Sequence, residues 1–79
     1  MEPVQVHLFA AARAAVGAPV LEAAPGSLSS ILANIEQAHP AFAGVRARCS
    51  FLLDGEAVHG DPQVPGGGRI DVLPPFAGG

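Results

Sequence analysis

The chain has 79 residues, enough for one small domain with a single core close to the lower limit of independent stability. Apolar residues make up 49% of the chain and charged residues 14%, a balance that favours a folded domain over a disordered one. The net charge is −3, with four arginines and no lysine, so no basic face is available for a nucleic-acid backbone. We therefore expect no nucleic-acid partner.

Cys49 is the single cysteine, which excludes an internal disulfide and a CxxC metal or redox pair. Since cysteine is among the most often buried residues, a buried and inert thiol is favoured over a nucleophile. The sequence shows neither a charged-then-apolar leader nor an apolar run long enough to span a bilayer. We expect a soluble, cytoplasmic domain with no membrane partner.

The first half of the chain predicts a two-stranded hairpin followed by a helix. Val4, Val6 and Leu8 alternate with polar residues, which predicts a half-buried strand that Phe9 and Ala10 prolong. Residues 11–16 predict a short helical turn before Gly17, and residues 19–24 predict a second strand. Because that strand opens with proline, we expect it at an edge of the sheet.

The main helix is predicted over residues 27–38. Pro25-Gly26 predicts a turn and Ser27 an N-cap, and His39-Pro40 ends the helix because the residue before proline avoids the α region. Apolar residues recur at helical spacing and predict a core-facing stripe of Leu28, Ile31, Leu32 and Ile35. Residues 41–48 predict a short second helix with Phe42 and Val45 facing inward.

The second half predicts strands joined by glycine-containing turns. Phe51-Leu52-Leu53 is a short apolar strand, and Asp54-Gly55 is a hairpin turn into residues 56–58. Residues 61–62 and 65–68 predict loops; the triple glycine lacks the lysine and hydroxyl residue of a phosphate-binding loop. Ile70, Val72 and Leu73 predict the last strand.

This order of elements predicts an α+β domain with one main helix packed on one face of a mixed sheet. The first and last strands are expected side by side in the middle, as in a β-grasp sheet. We place the domain at residues 1–73 and a projecting, flexible C-terminal tail at residues 74–79.

Side-chain chemistry for a self-contained active site is absent from the sequence. The three histidines fall at no metal-ligand spacing, and no two acidic residues form a pattern typical of an acid/base pair. The serines at 27, 29 and 30 belong to a helix start rather than to a nucleophile elbow. We therefore expect no bound metal or cofactor and no enzyme activity from the chain alone.

The last six residues are the remaining chemical feature: Pro74, Pro75, Phe76, Ala77, Gly78 and Gly79. The prolines favour an extended path out of the fold, and six extended residues reach at most about 20 Å. The terminal glycines have no side chains, so this arm can enter a slot that admits only backbone. Its terminal carboxylate is ionised at pH 7 and can be activated by another enzyme. The alternative interpretation is an ordinary frayed chain end.

Both ends of the sequence resemble the ubiquitin-like sulfur carriers of the MoaD/ThiS family, most closely its branch of molybdopterin synthase small subunits. The opening match is residues 6–10 with Arg13 and Gly17, and the closing match is residues 71–79 with the Pro-Pro-x-x-Gly-Gly ending. Phe76 stands where the family commonly has a smaller β-branched residue. Residues 40–68 match the family only in pattern.

The resemblance implies a ubiquitin-like β-grasp fold and a specific use of the tail. Gly79 would be adenylated by an E1-like enzyme that uses ATP, converted to a thiocarboxylate, and would donate sulfur to a pterin precursor inside the large subunit of molybdopterin synthase. Phe9 and Leu73 would form an apolar partner surface with Arg13 as a charge at its rim; ordinary core packing of Phe9 and Leu73 remains the alternative.

Two other functions stay open from the sequence. The chain could carry sulfur for another product, such as thiamine or cysteine. It could also be a ubiquitin-like modifier or interaction module whose Gly-Gly end becomes joined to lysines of other proteins.

Overall fold

A computed structural model of the protein describes residues 2–75. The helices within it are α1 (Ala10–Val16), α2 (Leu28–Ala38) and α3 (Phe42–Arg46). The strands are β1 (Val4–Leu8), β2 (Val20–Ala23), β3 (Gly26–Ser27), β4 (Ser50–Leu53), β5 (Glu56–Ala57), β6 (Gln63–Val64) and β7 (Arg69–Leu73).

The main sheet is mixed, with the strand order β2-β1-β7-β4-β5. Its centre is the parallel pair of β1 and β7, in which Val6 lies beside Ile70 and Leu8 beside Val72. Strand β2 pairs antiparallel with β1, and β4 pairs antiparallel with β7. The structure confirms the expected central position of the first and last strands and the edge position of β2.

One face of this sheet forms the core with the helices. Alternation along the extended strands points Val4, Val6 and Leu8 of β1 to the same side, and each is at most 1% exposed. The predicted stripe of α2 is buried against this side, and Phe42 of α3 is fully buried among the same residues. The predicted helix–sheet packing is confirmed, although α1 and α3 add to the single main helix.

Strand β1 ends at Leu8; Phe9 continues its extended backbone, but the prediction that Ala10 also prolongs the strand is wrong. Phe9 is still extended, but its carbonyl accepts hydrogen bonds from the amides of Ala12 (3.0 Å) and Arg13 (3.4 Å) and begins α1. Ala10 takes a left-handed backbone conformation with φ of 49°. This single residue turns the chain from the sheet into the helix, which ends as predicted at Gly17.

A second, two-stranded sheet was not predicted. Gly26 and Ser27 form β3, which pairs antiparallel with β6, whereas the sequence indicated a turn at Pro25-Gly26 and loops at residues 61–62 and 65–68, with no element at residues 63–64. Ser27 nevertheless also caps α2, since its Oγ accepts a hydrogen bond from the amide of Ser30 at 3.2 Å. Two-residue strands carry too little sequence pattern for periodicity to detect them.

The hairpin at Asp54-Gly55 is confirmed. The two residues have φ of 48° and 86°, the pair of positive values that defines the tight turn favoured between antiparallel strands. Asp54 Oδ1 also accepts a hydrogen bond from the amide of Arg69 at 2.9 Å, which ties this turn to the start of β7.

Asp61 connects the loop before β6 to the first turn of α2. Its Oδ1 accepts a hydrogen bond from the amide of Ser29 at 2.8 Å, and its Oδ2 accepts one from Ser29 Oγ at 2.7 Å. The Ser29 hydroxyl and then the Ser29 amide hold the pKa of Asp61 below its usual value of 3.8. Since helix N-terminal amides lack partners within the helix, this carboxylate acts as a remote cap.

The lowered pKa of Asp61 predicts a dependence of stability on pH. Folding favours the carboxylate, so the stabilisation is present above the unfolded-state pKa and is lost as pH falls through the lower folded-state pKa. We expect Asp61→Asn to reduce the free energy of unfolding at neutral pH and to weaken its decline on acidification. Urea unfolding from about pH 6 to about pH 2 measures this.

Glu56→Gln is the matched control for Asp61→Asn, because Glu56 is exposed and forms no side-chain hydrogen bond within residues 2–75. An unchanged acid-side slope in Asp61→Asn would contradict the capping role of Asp61.

Candidate functional site

The predicted site residues lie at one end of the main sheet, where β1 and β7 both finish. We call this the exit end. The amide of Phe9 donates a hydrogen bond to the carbonyl of Val72 at 3.3 Å, which continues the parallel pairing one step beyond β1. Leu73 ends β7 and is followed by Pro74 and Pro75. The structure therefore brings Phe9, Leu73 and the start of the tail together.

Phe9 and Leu73 also lie on the same side of the sheet. Alternation along β1 places Gln5, His7 and the extended Phe9 opposite the core, on the side we call the open face. Along β7 the same alternation places Asp71 and Leu73 there, since Ile70 and Val72 are buried in the core. Phe9 and Leu73 can form one apolar surface only if they project from the same side of the sheet, and the structure shows that they do.

Phe9 is surface rather than core. It is 41% exposed, an unusual value for a large apolar side chain, while the preceding Leu8 is 1% exposed. Leu73 is half-buried. Of the two interpretations left open for Phe9, core packing is therefore wrong.

Leu52 belongs to the same face, although the sequence did not single it out. It lies beside Asp71 in the antiparallel register of β4 with β7 and is half-buried. In the sequence Leu52 stands between Phe51 and Leu53, which face the core. Because all three residues are apolar, only the pairing of β4 with β7 shows that Leu52 is the one on the open face.

A polar stripe crosses the open face beside these apolar residues. Arg69 Nε forms an ion pair with Asp71 Oδ1 at 2.8 Å, and Asp71 lies beside His7 across the central strand pair. The Nε2 of His7 is 3.4 Å from Gln5 Oε1. The open face thus offers a partner an apolar surface at the exit end and, farther from that end along β1 and β7, side chains that can form hydrogen bonds.

Arg13 lies in the last turn of α1 and is exposed. Within residues 2–75 the recorded ion pairs are those of Arg46 with Glu36 and Arg69 with Asp71, so Arg13 forms none with a described residue. Its charge is available for contact with another molecule.

The tail is described only at its base. Pro74 is half-buried and Pro75 is exposed. The predictions for Phe76, Ala77, Gly78 and Gly79 lie outside the described residues and stay predictions.

The rest of the described chain offers little side-chain chemistry. Within residues 2–75 no group of His, Cys, Asp or Glu is arranged to hold a metal ion. Cys49 is half-buried rather than fully buried; burial raises the pKa of its thiol, and its Sγ donates a hydrogen bond to the Val45 carbonyl at 3.3 Å. Across the same range, no helix has the length and apolarity needed to cross a membrane.

Comparison with known proteins gives one family match and several structural matches. The model of the ThiS family matches residues 6–79. No curated protein matches the chain significantly. The solution structure of small archaeal modifier protein 1 from Methanosarcina acetivorans has 25% identity and a TM-score of 0.83, and the match covers 100% of this chain and 98% of that one.

Two further structures extend the comparison. The putative molybdopterin converting factor subunit 1 from Pyrococcus furiosus is 21% identical with a TM-score of 0.84, covering 96% of this chain and 100% of that one. The third structure is the complex of subunits 1 and 2 of the molybdopterin-converting factor from Helicobacter pylori. The matching chain in it is 20% identical with a TM-score of 0.72, and the match covers 98% of this chain and 99% of that one. The expected ubiquitin-like β-grasp fold is confirmed.

The exposure of Phe9 predicts that a charge is tolerated there in the isolated domain. Phe9→Asp should change the free energy of unfolding by no more than about 1 kcal/mol, as is usual for surface substitutions. Leu8→Asp is the matched control one residue away and should prevent stable folding, because it places an unpaired charge in the core. Unfolding of Phe9→Asp as well as Leu8→Asp would show that Phe9 is part of the core.

Proposed function

Because this chain belongs to the ThiS family, we propose that it is a sulfur carrier whose C-terminal Gly79 is converted to a thiocarboxylate, which donates its sulfur to a pterin precursor to form molybdopterin. The observation that carries this proposal is the extent of the family match, which runs from residue 6 to residue 79 and so includes the tail. The resemblance read from the two ends of the sequence is confirmed at the level of the family.

The chemistry begins at the terminal carboxylate, which is a poor electrophile because its charge repels nucleophiles. Its oxygen attacks the α-phosphorus of ATP, a C–O–P linkage forms and pyrophosphate leaves. Hydrosulfide then attacks the carbonyl carbon: the C–S bond forms as the C–O bond to AMP breaks, and AMP leaves with the electron pair. With a persulfide as donor, the product is an acyl disulfide, and a thiol must reduce its S–S bond to release the thiocarboxylate.

This chain contributes a presented group rather than a catalytic one. A separate E1-like enzyme would supply the ATP site, and a large synthase subunit would hold the pterin precursor. A complex of subunits 1 and 2 of molybdopterin-converting factor is known for the Helicobacter pylori protein with the same fold. By analogy, this chain would act as the small subunit of such a complex and would not catalyse sulfur transfer alone.

The open face at the exit end is suited to these partners. Phe9 supplies exposed apolar area, Leu73 adds to it, and Arg13 supplies a charge at the rim. Buried aromatic anchors dominate the binding energy of many protein interfaces, and charges at the rim chiefly influence association rates. A partner that covers this surface also lies next to the base of the tail.

A modifier role is the second candidate, favoured by the similarity to small archaeal modifier protein 1. The Gly79 carboxyl would then be joined to lysine amines of other proteins. Since this sequence contains no lysine, it offers no side-chain amine for building a chain on itself. Gly79 linked to protein lysines in cells, without any thiocarboxylate, would favour this candidate over the sulfur carrier.

The docking surface predicts a selective loss of partner binding. Phe9→Asp and Leu73→Asp should each weaken the complex with the large synthase subunit by roughly tenfold or more, the scale of an interface anchor. Titration calorimetry with the large subunit measures this. Ala57→Asp is the control, because Ala57 is exposed on the open face in the edge strand β5, two strands away from β7, and this variant should bind normally. Normal binding by both Phe9→Asp and Leu73→Asp would place the interface elsewhere.

The tail predicts a strict requirement for a terminal Gly-Gly. Deletion of Gly79, or addition of one alanine after it, should abolish thiocarboxylate formation while leaving the melting temperature unchanged, because terminal residues rarely contribute to the stability of a fold. Gly78→Val should impair charging severely, since its side chain would collide with the walls of a narrow channel. One alanine added before Met1 is the control. Full sulfur transfer by the chain lacking Gly79 would exclude the carrier function.

A further inference from the structure

A hollow of about 340 Å³ lies beside the base of the tail, on the helical side of the exit end. Its walls are the first turn of α1, the outward side of α3 and the two prolines that begin the tail. Gly44 contributes from α3, Arg48 from the turn that follows α3, and Pro74 and Pro75 form the wall nearest the tail. The hollow is therefore separate from the open face, although both adjoin the same two prolines.

Small side chains create this space. Ala10 and Ala11 line it from α1, and Gly44 lines it from α3. A Cβ added to Gly44 would meet no atom within 4 Å, so the hollow next to this residue is open. The left-handed Ala10, with φ of 49°, sets the position of the α1 wall and adopts a conformation that costs a non-glycine residue energy.

The charges around the hollow favour an acidic partner. Within residues 2–75, Arg48 at its edge forms no ion pair, and Arg13 at the same end forms none either. None of the acidic residues without an ion pair in that range lines the hollow: Glu2 precedes β1, Glu22 lies beside Gln5, Asp54 and Glu56 belong to the β4–β5 turn, and Asp61 is hydrogen-bonded to Ser29 at the start of α2. The hollow is thus bordered by a cationic side chain and by no acidic one, in a chain whose net charge is −3.

We propose that this hollow is a docking socket for the enzyme that adenylates Gly79, and that it receives one large apolar side chain next to a carboxylate that pairs with Arg48. This inference rests on the proposed function and specifies a second contact besides the open face. The tail reaches at most about 20 Å from its base. An enzyme that encloses Gly79 must therefore bring the mouth of its channel close to Pro74 and Pro75.

Contact on both sides of the tail would orient it. The open face and the socket lie on either side of the prolines, so a partner that fills both holds the tail base from two directions. An anchor side chain in a preformed, apolar pocket is a common source of interface energy, and a carboxylate beside it would gain from the unpaired Arg48. The socket consequently contributes to binding and leaves the chemical step at Gly79 unchanged.

Filling the socket tests the proposal. Gly44→Leu projects a side chain into the hollow and should raise the KM for this chain in the adenylation reaction roughly tenfold or more, with kcat nearly unchanged. The fold should be retained or stabilised, because leucine favours helix over glycine and the site is open. Ala33→Leu is the matched control: it adds the same side chain at an exposed position of α2 outside the hollow and should keep the wild-type KM.

Arg48 gives a second variant that does not depend on filling the space. Arg48→Gln should raise the KM for this chain and make that KM less dependent on salt concentration. Arg48→Lys keeps the charge and should show a KM and a salt dependence close to those of the wild type. The assay is pyrophosphate release by the source organism's E1-like enzyme, with thermal unfolding of each variant as a check.

The outcomes separate the two proposals. If the wild-type chain is adenylated and both Gly44→Leu and Arg48→Gln keep its KM, the socket is wrong and the carrier function stands. If the wild-type chain is not adenylated at all, the carrier function is wrong, and the socket proposal fails with it.

Discussion

The parallel pairing of β1 with β7 is the constraint on which the rest of the structure depends. It brings the two ends of the described chain to the centre of one sheet, with Val6 beside Ile70 and Leu8 beside Val72. Because both strands run in the same direction, the start of the tail and the residue that follows β1 emerge at the same end. Phe9 and Leu73 become neighbours for that reason, although they are far apart in sequence.

The same pairing divides the exit end into two surfaces. Strict alternation puts the buried residues of β1 and β7 toward α2 and leaves Phe9 and Leu73 on the open face. On the other side, α1 and α3 pack against each other beside Pro74 and Pro75 and leave a hollow between them. The tail thus begins between the apolar residues of the open face and the hollow that Arg48 borders.

Much of the fold was predictable because its signals are local. The alternation of β1, the apolar stripe and Ser27 cap of α2, and the Asp54-Gly55 turn each follow from a few adjacent residues. The end of β1 was not predictable, since Phe9 and Ala10 continue an apolar pattern and a left-handed alanine has no sequence signature. Leu52 and the hollow at Gly44 depend on register and on three separate segments, so only the structure shows them.

The central claim is that Gly79 of this chain carries sulfur. The most direct measurement is the intact mass of the chain after incubation with an E1-like adenylating enzyme, ATP and a sulfur donor. Our account predicts a mass increase equal to the exchange of one oxygen for one sulfur, located at Gly79 and dependent on ATP. An unchanged mass under conditions in which the same enzyme charges its established carrier would contradict it.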